Sequence, residues 1–178
     1  MTTLLSEVVA LLRRQGAPHA IVGAAALAVR GVSRSTLDLD LLTTDRGVLR
    51  QAFWSEIACS DAEVEIRIGD ISDQLVGVVR LCRGEQRPVD VIVGEGRWQE
   101  GILAAAQPHT VAGVDAPVID EVGIILMKLY AGGPQDLWDI RQLLAVSPDP
   151  DDVARRTMEQ LAGLPRRCRT LWERFRSE

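Results

Sequence analysis

The chain has 178 residues, of which 47% are hydrophobic, and a formal net charge of −5. This length predicts one compact domain, or a core with a small helical appendage. No stretch approaches the ~20 consecutive apolar residues of a membrane span, and the charge order of the N-terminal residues is the reverse of a signal peptide. Cys59, Cys82 and Cys168 are too far apart for a disulfide framework, so we expect a reduced, cytoplasmic protein.

The charge is unevenly placed along the chain. Residues 154–178 contain seven arginines and three glutamates, a local balance of +4, which leaves −9 for residues 1–153. A basic tail on an acidic body can bind a polyanion such as RNA. It also fits the solvated face of a C-terminal helix pair, or a surface that docks on the acidic body.

The first predicted elements are a helix, a short strand and a second helix. A threonine at residue 2 or 3 can cap a helix whose apolar residues recur at helical spacing until Gly16. The apolar run 19–22 predicts a buried strand. Gly23 and Ala24 then begin a helix of small residues. Backbone N–H groups at such a strand–glycine–helix junction can hold a phosphate.

A strand that carries two carboxylates is predicted over residues 36–42. Leucines alternate there with Asp38 and Asp40, so the leucines line the core and both carboxylates share the other face. Carboxylates roughly 7 Å apart at Cα repel each other. A shared divalent cation, a basic neighbour or a raised pKa relieves that repulsion. The same Asp-x-Asp spacing at residues 149–151 fits a loop and helix cap, so the spacing is weak evidence alone.

A third acidic residue, Asp90, interrupts an otherwise apolar strand. We predict one helix over residues 45–57, then strands at 62–68, 75–82 and 88–93. A lone carboxylate among valines and isoleucines is costly to bury unless it is paired or bound to a cation. If the last hairpin lies beside the 36–42 strand, Asp38, Asp40 and Asp90 converge.

The second half of the chain is predicted to be mainly helical. Helices are expected over residues 97–106, 122–130, 135–145, 150–162 and 165–176, with a strand pair over 110–118. We divide the chain into a core, 1–118, and a helical C-terminal region, 119–178. Lys128 is the only lysine among twenty basic side chains. The need for a compact positive charge beside a phosphate would explain this single lysine. A chance codon change would explain it equally well.

The combination of these motifs resembles a known superfamily. Gly23-Ala24, thirteen residues and then Asp38-Leu39-Asp40 are similar to the signature of the polymerase-beta-type nucleotidyltransferases. Further matches resemble the minimal, AbiEii-like group, which includes nucleotidyltransferase toxins of bacterial toxin–antitoxin pairs. These matches are Val22-Gly23-Ala24, residues 34–40, Pro88-Val89-Asp90, Leu126-Met127-Lys128 and residues 132–139. Ala24 departs from the pattern, because family members usually have glycine or serine at that position.

The resemblance implies an α/β (α+β) fold, a nucleotidyltransferase-type mixed β-sheet flanked by helices. It implies a Mg²⁺-dependent enzyme that moves a nucleoside monophosphate from an NTP to an acceptor hydroxyl. That hydroxyl belongs to RNA such as a tRNA 3′ end, to a protein side chain or to a small molecule. Asp38, Asp40 and Asp90 would bind two Mg²⁺ ions, with Asp90 also acting as general base. The implied nucleotide-binding residues are Gly23, Ala24, Arg34, Lys128 and Asp136, the last orienting Lys128 or the acceptor. An antitoxin protein is the implied partner of a toxin.

Three other functions share some of these sequence features. A catalytically inactive binding module or antitoxin-like partner would keep the fold without turnover, and Ala24 favours it whereas the three aspartates oppose it. A haloacid-dehalogenase-type phosphatase also uses Asp-x-Asp. In that family an apolar strand precedes the motif, whereas polar residues precede it here. The histidines, His19 and His109, have no Cys or His at ligand spacing, which disfavours a zinc site. Asp136 and Asp139 also fit solvated helix positions.

Overall fold

A computed structural model describes residues 3–33, 38–69 and 75–177 of the chain. In chain order, its regular elements are α1 (Leu4–Arg14), β1 (His19–Ile21), α2 (Gly23–Val29), β2 (Leu39–Thr43), α3 (Ser55–Ala58), β3 (Glu63–Ile68), β4 (Gly77–Cys82), β5 (Val89–Val93), α4 (Arg97–Ala105), β6 (Gln107–Val111), β7 (Val114–Val118), α5 (Glu121–Ala131), α6 (Pro134–Val146), α7 (Pro150–Gln160) and α8 (Arg166–Ser177). The predicted order of helices and strands is confirmed, apart from the segment 45–57.

The strands of the described residues form one seven-stranded mixed sheet in the order β3-β4-β5-β2-β1-β7-β6. Neighbouring strands are antiparallel except for two parallel pairs, β2 with β5 and β1 with β7. The parallel pairs need long crossover connections, which α2, α4 and the β3–β4 hairpin help to supply. The centre of the sheet is therefore β5-β2-β1, and two predicted site residues, Asp40 and Asp90, lie on β2 and β5.

The buried interior explains why the central elements form where they do. Leu39, Leu41, Val89 and Val91 are buried on one face of β2 and β5, as strand alternation requires. Thr3 caps α1, whose apolar face lies in the same hydrophobic cluster. That cluster also contains buried residues of α5, α6, α7 and α8. The division of the chain at residue 118 stays a prediction, since one continuous core includes residues from both sides of it.

The segment 45–57 corrects a prediction. Instead of one helix, two short 3₁₀ turns, Arg46–Leu49 and Gln51–Trp54, precede α3. Arg50 between them is extended, and the indole of the buried Trp54 donates a 2.6 Å hydrogen bond to the Val48 carbonyl. Ala52 is exposed. Satisfying and burying a large indole therefore outweighs the propensity of the segment for a continuous helix.

Capping residues bound the helices after β7. Asp120 caps α5 through a 2.8 Å hydrogen bond from the Gly123 amide, and Gly132 ends it in the left-handed conformation. Asp149 caps α7, as expected for the Asp149-Pro150-Asp151 segment. Within the described residues, each helix is too short or too polar to cross a membrane.

Candidate active site

The two strands that carry the predicted carboxylates are parallel neighbours. β2 and β5 pair in a register that sets Asp40 opposite Asp90. The apolar residues that alternate with them are buried in the core, so both aspartates are on the opposite face of the sheet. Asp38 lies directly before β2 and two residues from Asp40, so by strand alternation it is on the same face as Asp40. The structure thus brings together the three aspartates that the sequence predicted to converge.

Arg80 of β4 connects two of these carboxylates. Its Nη1 lies 2.8 Å from Asp90 Oδ2, and its Nη2 lies 3.2 Å from Asp38 Oδ2. The register between β4 and β5 explains the contact, because it sets Arg80 directly opposite Asp90. Sequence reasoning missed this residue, although its alternation with the buried Val79 and Leu81 was a usable signal. Arg80 is the basic neighbour that partly relieves the repulsion among the aspartates.

Arg80 relieves the repulsion among the aspartates only in part, because the pKa values of Asp40 and Asp90 remain raised. The pKa of Asp40 is raised from 3.8 to about 6, first by burial and then by the negative charges of Asp90 and Asp38. Burial also raises the pKa of Asp90, against the opposing effect of Arg80. Among the described residues, no group donates a hydrogen bond to the buried Asp90 Oδ1. The site therefore holds more negative charge than its own cations neutralise.

This arrangement has the donor chemistry of a magnesium site without its geometry. Carboxylate oxygens are the ligands that Mg²⁺ prefers, and the Asp90 Oδ1 atom is buried and unsatisfied. In the part of the chain that the structure describes, however, no three His, Cys, Asp or Glu side chains are grouped closely enough to hold a metal ion. The Oδ2 atoms of Asp38 and Asp90 instead contact Arg80. The three aspartates thus match Mg²⁺ in the type of ligand atom they offer, but among the described residues they are not arranged as a metal cluster.

Gly23 lies against Asp40 at the beginning of α2. Its φ is +64°, and a Cβ atom built on it would lie 2.2 Å from Asp40 Oδ2. No side chain fits between the two, so glycine is required both by the backbone conformation and by the approach of the carboxylate. Ala24 follows in the first turn of α2 and is nearly fully buried. The strand–glycine–helix junction predicted from the sequence therefore adjoins the aspartates directly.

Lys128 of α5 is held by two carboxylates from α6. Its Nζ lies 2.9 Å from Asp136 Oδ1 and 2.6 Å from Asp139 Oδ2. Asp136 also accepts a 2.9 Å hydrogen bond from the Gly133 amide and so caps α6. The side chain of Asp139 is fully buried, which excludes the solvated position considered for it. Sequence reasoning missed Asp139 as a Lys128 partner, although Asp136 and Asp139 are one helical turn apart in the sequence.

We expect Asp139→Asn to destabilise the fold measurably. Among the described residues, the change leaves the largely buried Lys128 side chain with Asp136 as its one carboxylate partner. Losing a charged hydrogen bond costs about 1–3 kcal/mol. Urea unfolding followed by circular dichroism would measure it. Asp152→Asn is the matched control, because it breaks an exposed ion pair with Arg155 worth at most about 1 kcal/mol. Equal unfolding midpoints for the two variants would contradict this role.

Two adjoining cavities surround these groups. A cavity of about 180 Å³ is lined by Gly23, Asp40, Lys128, Asp136 and six apolar residues. A larger cavity, of about 680 Å³, shares Ile92, Met127 and Ala131 with it and extends to Arg67 and Tyr130. Asp40, Lys128 and Asp136 therefore line one small cavity, which adjoins a larger one.

The remaining sequence predictions concern arginines. Arg34 lies outside the described residues. In the basic tail, Arg156 pairs with Asp120 at the start of α5, which agrees with a surface that docks on the acidic body. The ion pairs of Arg155 with Asp152 and Glu159 lie within α7. The exposed Arg166 and Arg169 of α8 keep the electrostatic alternative open.

Comparison of the coordinates with solved structures identifies the fold. The chain superposes on a putative nucleotidyltransferase from Thermotoga maritima with a TM-score of 0.52 and 14% sequence identity, covering 81% of this chain and 92% of that one. An antigenic nucleotidyltransferase-like protein from Paracoccidioides brasiliensis gives 0.49 and 16%, over 93% and 90% of the two chains. The lincosamide adenylyltransferase LnuA gives 0.48 and 11%, over 80% and 96%.

No protein-family model matches the sequence, and no curated protein is significantly similar to it. The structural likeness shows the nucleotidyltransferase fold, as the motifs predicted. At these sequence identities it shows the fold alone.

Proposed function

We propose that this chain is a Mg²⁺-dependent nucleotidyltransferase, which moves a nucleoside monophosphate from an NTP to an acceptor hydroxyl and releases pyrophosphate. The observation that carries the proposal is the register of β2 and β5. It sets Asp40 opposite Asp90 in a nucleotidyltransferase fold. Asp40 also lies against Gly23, and its pKa is raised to about 6. Such crowding of acidic groups is costly to the fold, and perturbed carboxyl groups in a cleft are typical of functional sites.

Asp38, Asp40 and Asp90 are the residues that would hold the metal. When bound there, Mg²⁺ supplies charge neutralisation for the triphosphate and a lowered pKa for the acceptor hydroxyl. Asp90 has a second role in this proposal, as the base that accepts the hydroxyl proton. Its Oδ1 atom accepts no hydrogen bond from the described residues, and burial raises the pKa of this carboxyl group, as a general base requires.

The triphosphate would lie at the junction of β1 and α2. Gly23 and Ala24 present backbone N–H groups there, and the alanine side chain at residue 24 does not remove its amide as a donor. Lys128 lines the same small cavity and supplies positive charge, with Asp136 and Asp139 orienting its ammonium. Arg34 is proposed as a further phosphate contact from the sequence motif. The adjoining cavity of about 680 Å³ is in the size range of small-ligand pockets.

We place the chain in the AbiEii-like group and propose a toxin of a toxin–antitoxin pair. The motifs at residues 34–40, 88–90, 126–128 and 132–139 support this assignment. The proposed acceptor is a hydroxyl of RNA, such as a tRNA 3′ end, or of a protein side chain, and the exposed Arg166 and Arg169 support RNA. The three cysteines, Cys59, Cys82 and Cys168, are all free thiols, which supports a cytoplasmic location.

A binding module without turnover is the second candidate. Two observations favour it, namely alanine at residue 24 and the contact of Arg80 with Asp38 and Asp90, which uses oxygens that a metal would need. Such a module, or an antitoxin-like partner, would use the same surface without chemistry. Transfer activity separates the two functions directly.

The test is incubation of the purified chain with each labelled NTP, Mg²⁺ and total RNA, followed on a denaturing gel. We expect label on a discrete RNA band with the wild type and none with Asp38→Asn/Asp40→Asn. Asp149→Asn/Asp151→Asn is the matched control, because it changes the same spacing and charge at a helix cap. Label on the protein itself would make a side chain the acceptor. Transfer that survives in Asp38→Asn/Asp40→Asn would overturn the assignment of the site, and no transfer at all would favour the binding module.

A further inference from the structure

The guanidinium of Arg80 occupies the position between two of the proposed metal ligands. Its two terminal nitrogens bridge Asp90 Oδ2 at 2.8 Å and Asp38 Oδ2 at 3.2 Å. The planar fork of arginine suits such a bridge, since it can donate to two carboxylates at once. The contact is built into the sheet, because Arg80 is set opposite Asp90 by the pairing of β4 with β5.

A metal ion bound by Asp38 and Asp90 would have to share these carboxylates with Arg80. The bridging contacts use one oxygen of each, and no ready-made metal cluster exists among residues 3–33, 38–69 and 75–177. Metal ions and guanidinium groups repel each other at such distances. Binding of the metal and the bridge of Arg80 therefore oppose each other.

The bridge is also accessible enough to open. The side chain of Arg80 is 36% exposed and that of Asp38 is 33% exposed, whereas that of Asp90 is 16% exposed. Releasing the guanidinium from Asp38 therefore moves it toward solvent and does not bury an unpaired charge. A partly exposed ion pair is worth little enough for a divalent cation to displace it.

We propose that Arg80 is an internal competitor of the divalent cation. It bridges Asp38 and Asp90 in the metal-free protein, and its guanidinium leaves them when the metal binds. This inference rests on the proposed function, because it takes the aspartates to be metal ligands. In this inference, Arg80 sets the concentration of divalent cation at which the site becomes occupied.

The test is the affinity of the full chain for Mn²⁺ without nucleotide, measured from the electron paramagnetic resonance signal of the free ion. Removing the competitor in Arg80→Gln is expected to lower the Kd by about tenfold or more. Arg80→Lys keeps the charge but loses the fork that spans two carboxylates, so its Kd should lie between those of the wild type and Arg80→Gln. Arg80→Lys also covers the case in which Arg80→Gln does not fold.

Arg67→Gln is the control for charge alone. Arg67 is exposed on β3, pairs with Glu65 at 2.9 Å and acts on Asp90 only through space. We expect its Kd to stay within about threefold of the wild type, because exposed charges at a distance are screened. An equal tightening in Arg67→Gln and Arg80→Gln would overturn the inference. So would an unchanged or weaker affinity in Arg80→Gln with Arg80→Lys at the wild-type value.

The proposed function is tested separately in the same titration. Mn²⁺ binding by the wild type that is lost in Asp38→Asn/Asp40→Asn supports the metal site, whatever Arg80→Gln does. Absence of binding in both the wild type and Arg80→Gln would overturn the metal site and this inference with it. Binding that appears only in Arg80→Gln would support competition in its strongest form.

Discussion

Replacing Asp40 with asparagine is expected to abolish nucleotidyl transfer and to stabilise the metal-free protein above about pH 6. The two effects have one cause. The carboxylate that the proposed chemistry needs is held where burial and the charges of Asp90 and Asp38 disfavour its ionised form. Asparagine has nearly the same shape and carries no charge, so it removes both the chemistry and its cost to the fold.

The sign of the stability effect follows from the direction of the pKa shift. The pKa of Asp40 is raised from 3.8 to about 6 in the folded chain, so the folded state holds this proton more tightly than the unfolded state. Ionisation of Asp40 therefore costs folding free energy. That cost is absent below about pH 4 and fully present above about pH 6, where two pKa units correspond to about 3 kcal/mol. The wild type should lose stability relative to Asp40→Asn as pH rises through this window.

Urea unfolding in EDTA from pH 4 to 8 measures the stability effect, and the labelled transfer assay measures the activity. Loss of one metal ligand is expected to lower transfer by at least about 10³-fold, since metal ions supply several kcal/mol of charge stabilisation. Asp151→Asn is the control, because that side chain is 93% exposed. A variant at residue 40 that is less stable than the wild type at pH 7 would contradict the electrostatic account. Transfer within tenfold of the wild type would contradict the catalytic one.

Gly23→Ala is expected to reduce transfer by about 10²-fold or more while changing stability only modestly. A Cβ atom at residue 23 would lie 2.2 Å from Asp40 Oδ2 and 3.1 Å from its Cγ. The carboxylate must therefore move away, and a displacement of about 1 Å at a reacting group can cost 10²-fold in rate. The stability cost has a separate origin, the positive φ of +64°, which an alanine adopts at about 1–2 kcal/mol.

Gly16→Ala separates these two causes. Gly16 has a φ of +68°, and an added Cβ there meets no atom within 4 Å. We expect the two variants to have similar backbone costs in urea unfolding, whereas only Gly23→Ala should lose transfer. Equal transfer rates for both variants would show that the contact between Gly23 and Asp40 is irrelevant to the reaction. A much lower stability for Gly23→Ala alone would show that Asp40 cannot give way.

The local pattern of the sequence was sufficient for most elements and for the aspartates. Alternation in β2 and β5 depends only on neighbours along the chain, and it correctly put Asp40 and Asp90 on the face away from the buried leucines and valines. The caps at Thr3 and Asp120, and the left-handed Gly132, are likewise local effects. The prediction for segment 45–57 was wrong for the opposite reason. The hydrogen bond from the Trp54 indole to the Val48 carbonyl accompanies a break in the helix that local propensity favoured.

Residue type and strand alternation can be read along the chain, so the sequence was sufficient to predict the acidic face that carries Asp40 and Asp90. What these groups contact depends instead on the tertiary fold. The bridge of Arg80 depends on the pairing of β4 with β5, and the burial of Asp139 against Lys128 depends on how α6 packs on α5. Partners distant along the chain are selected by strand order and helix docking. These long-range contacts leave only a weak trace in the spacing of residues, because periodicity reports a residue's face and not its neighbour.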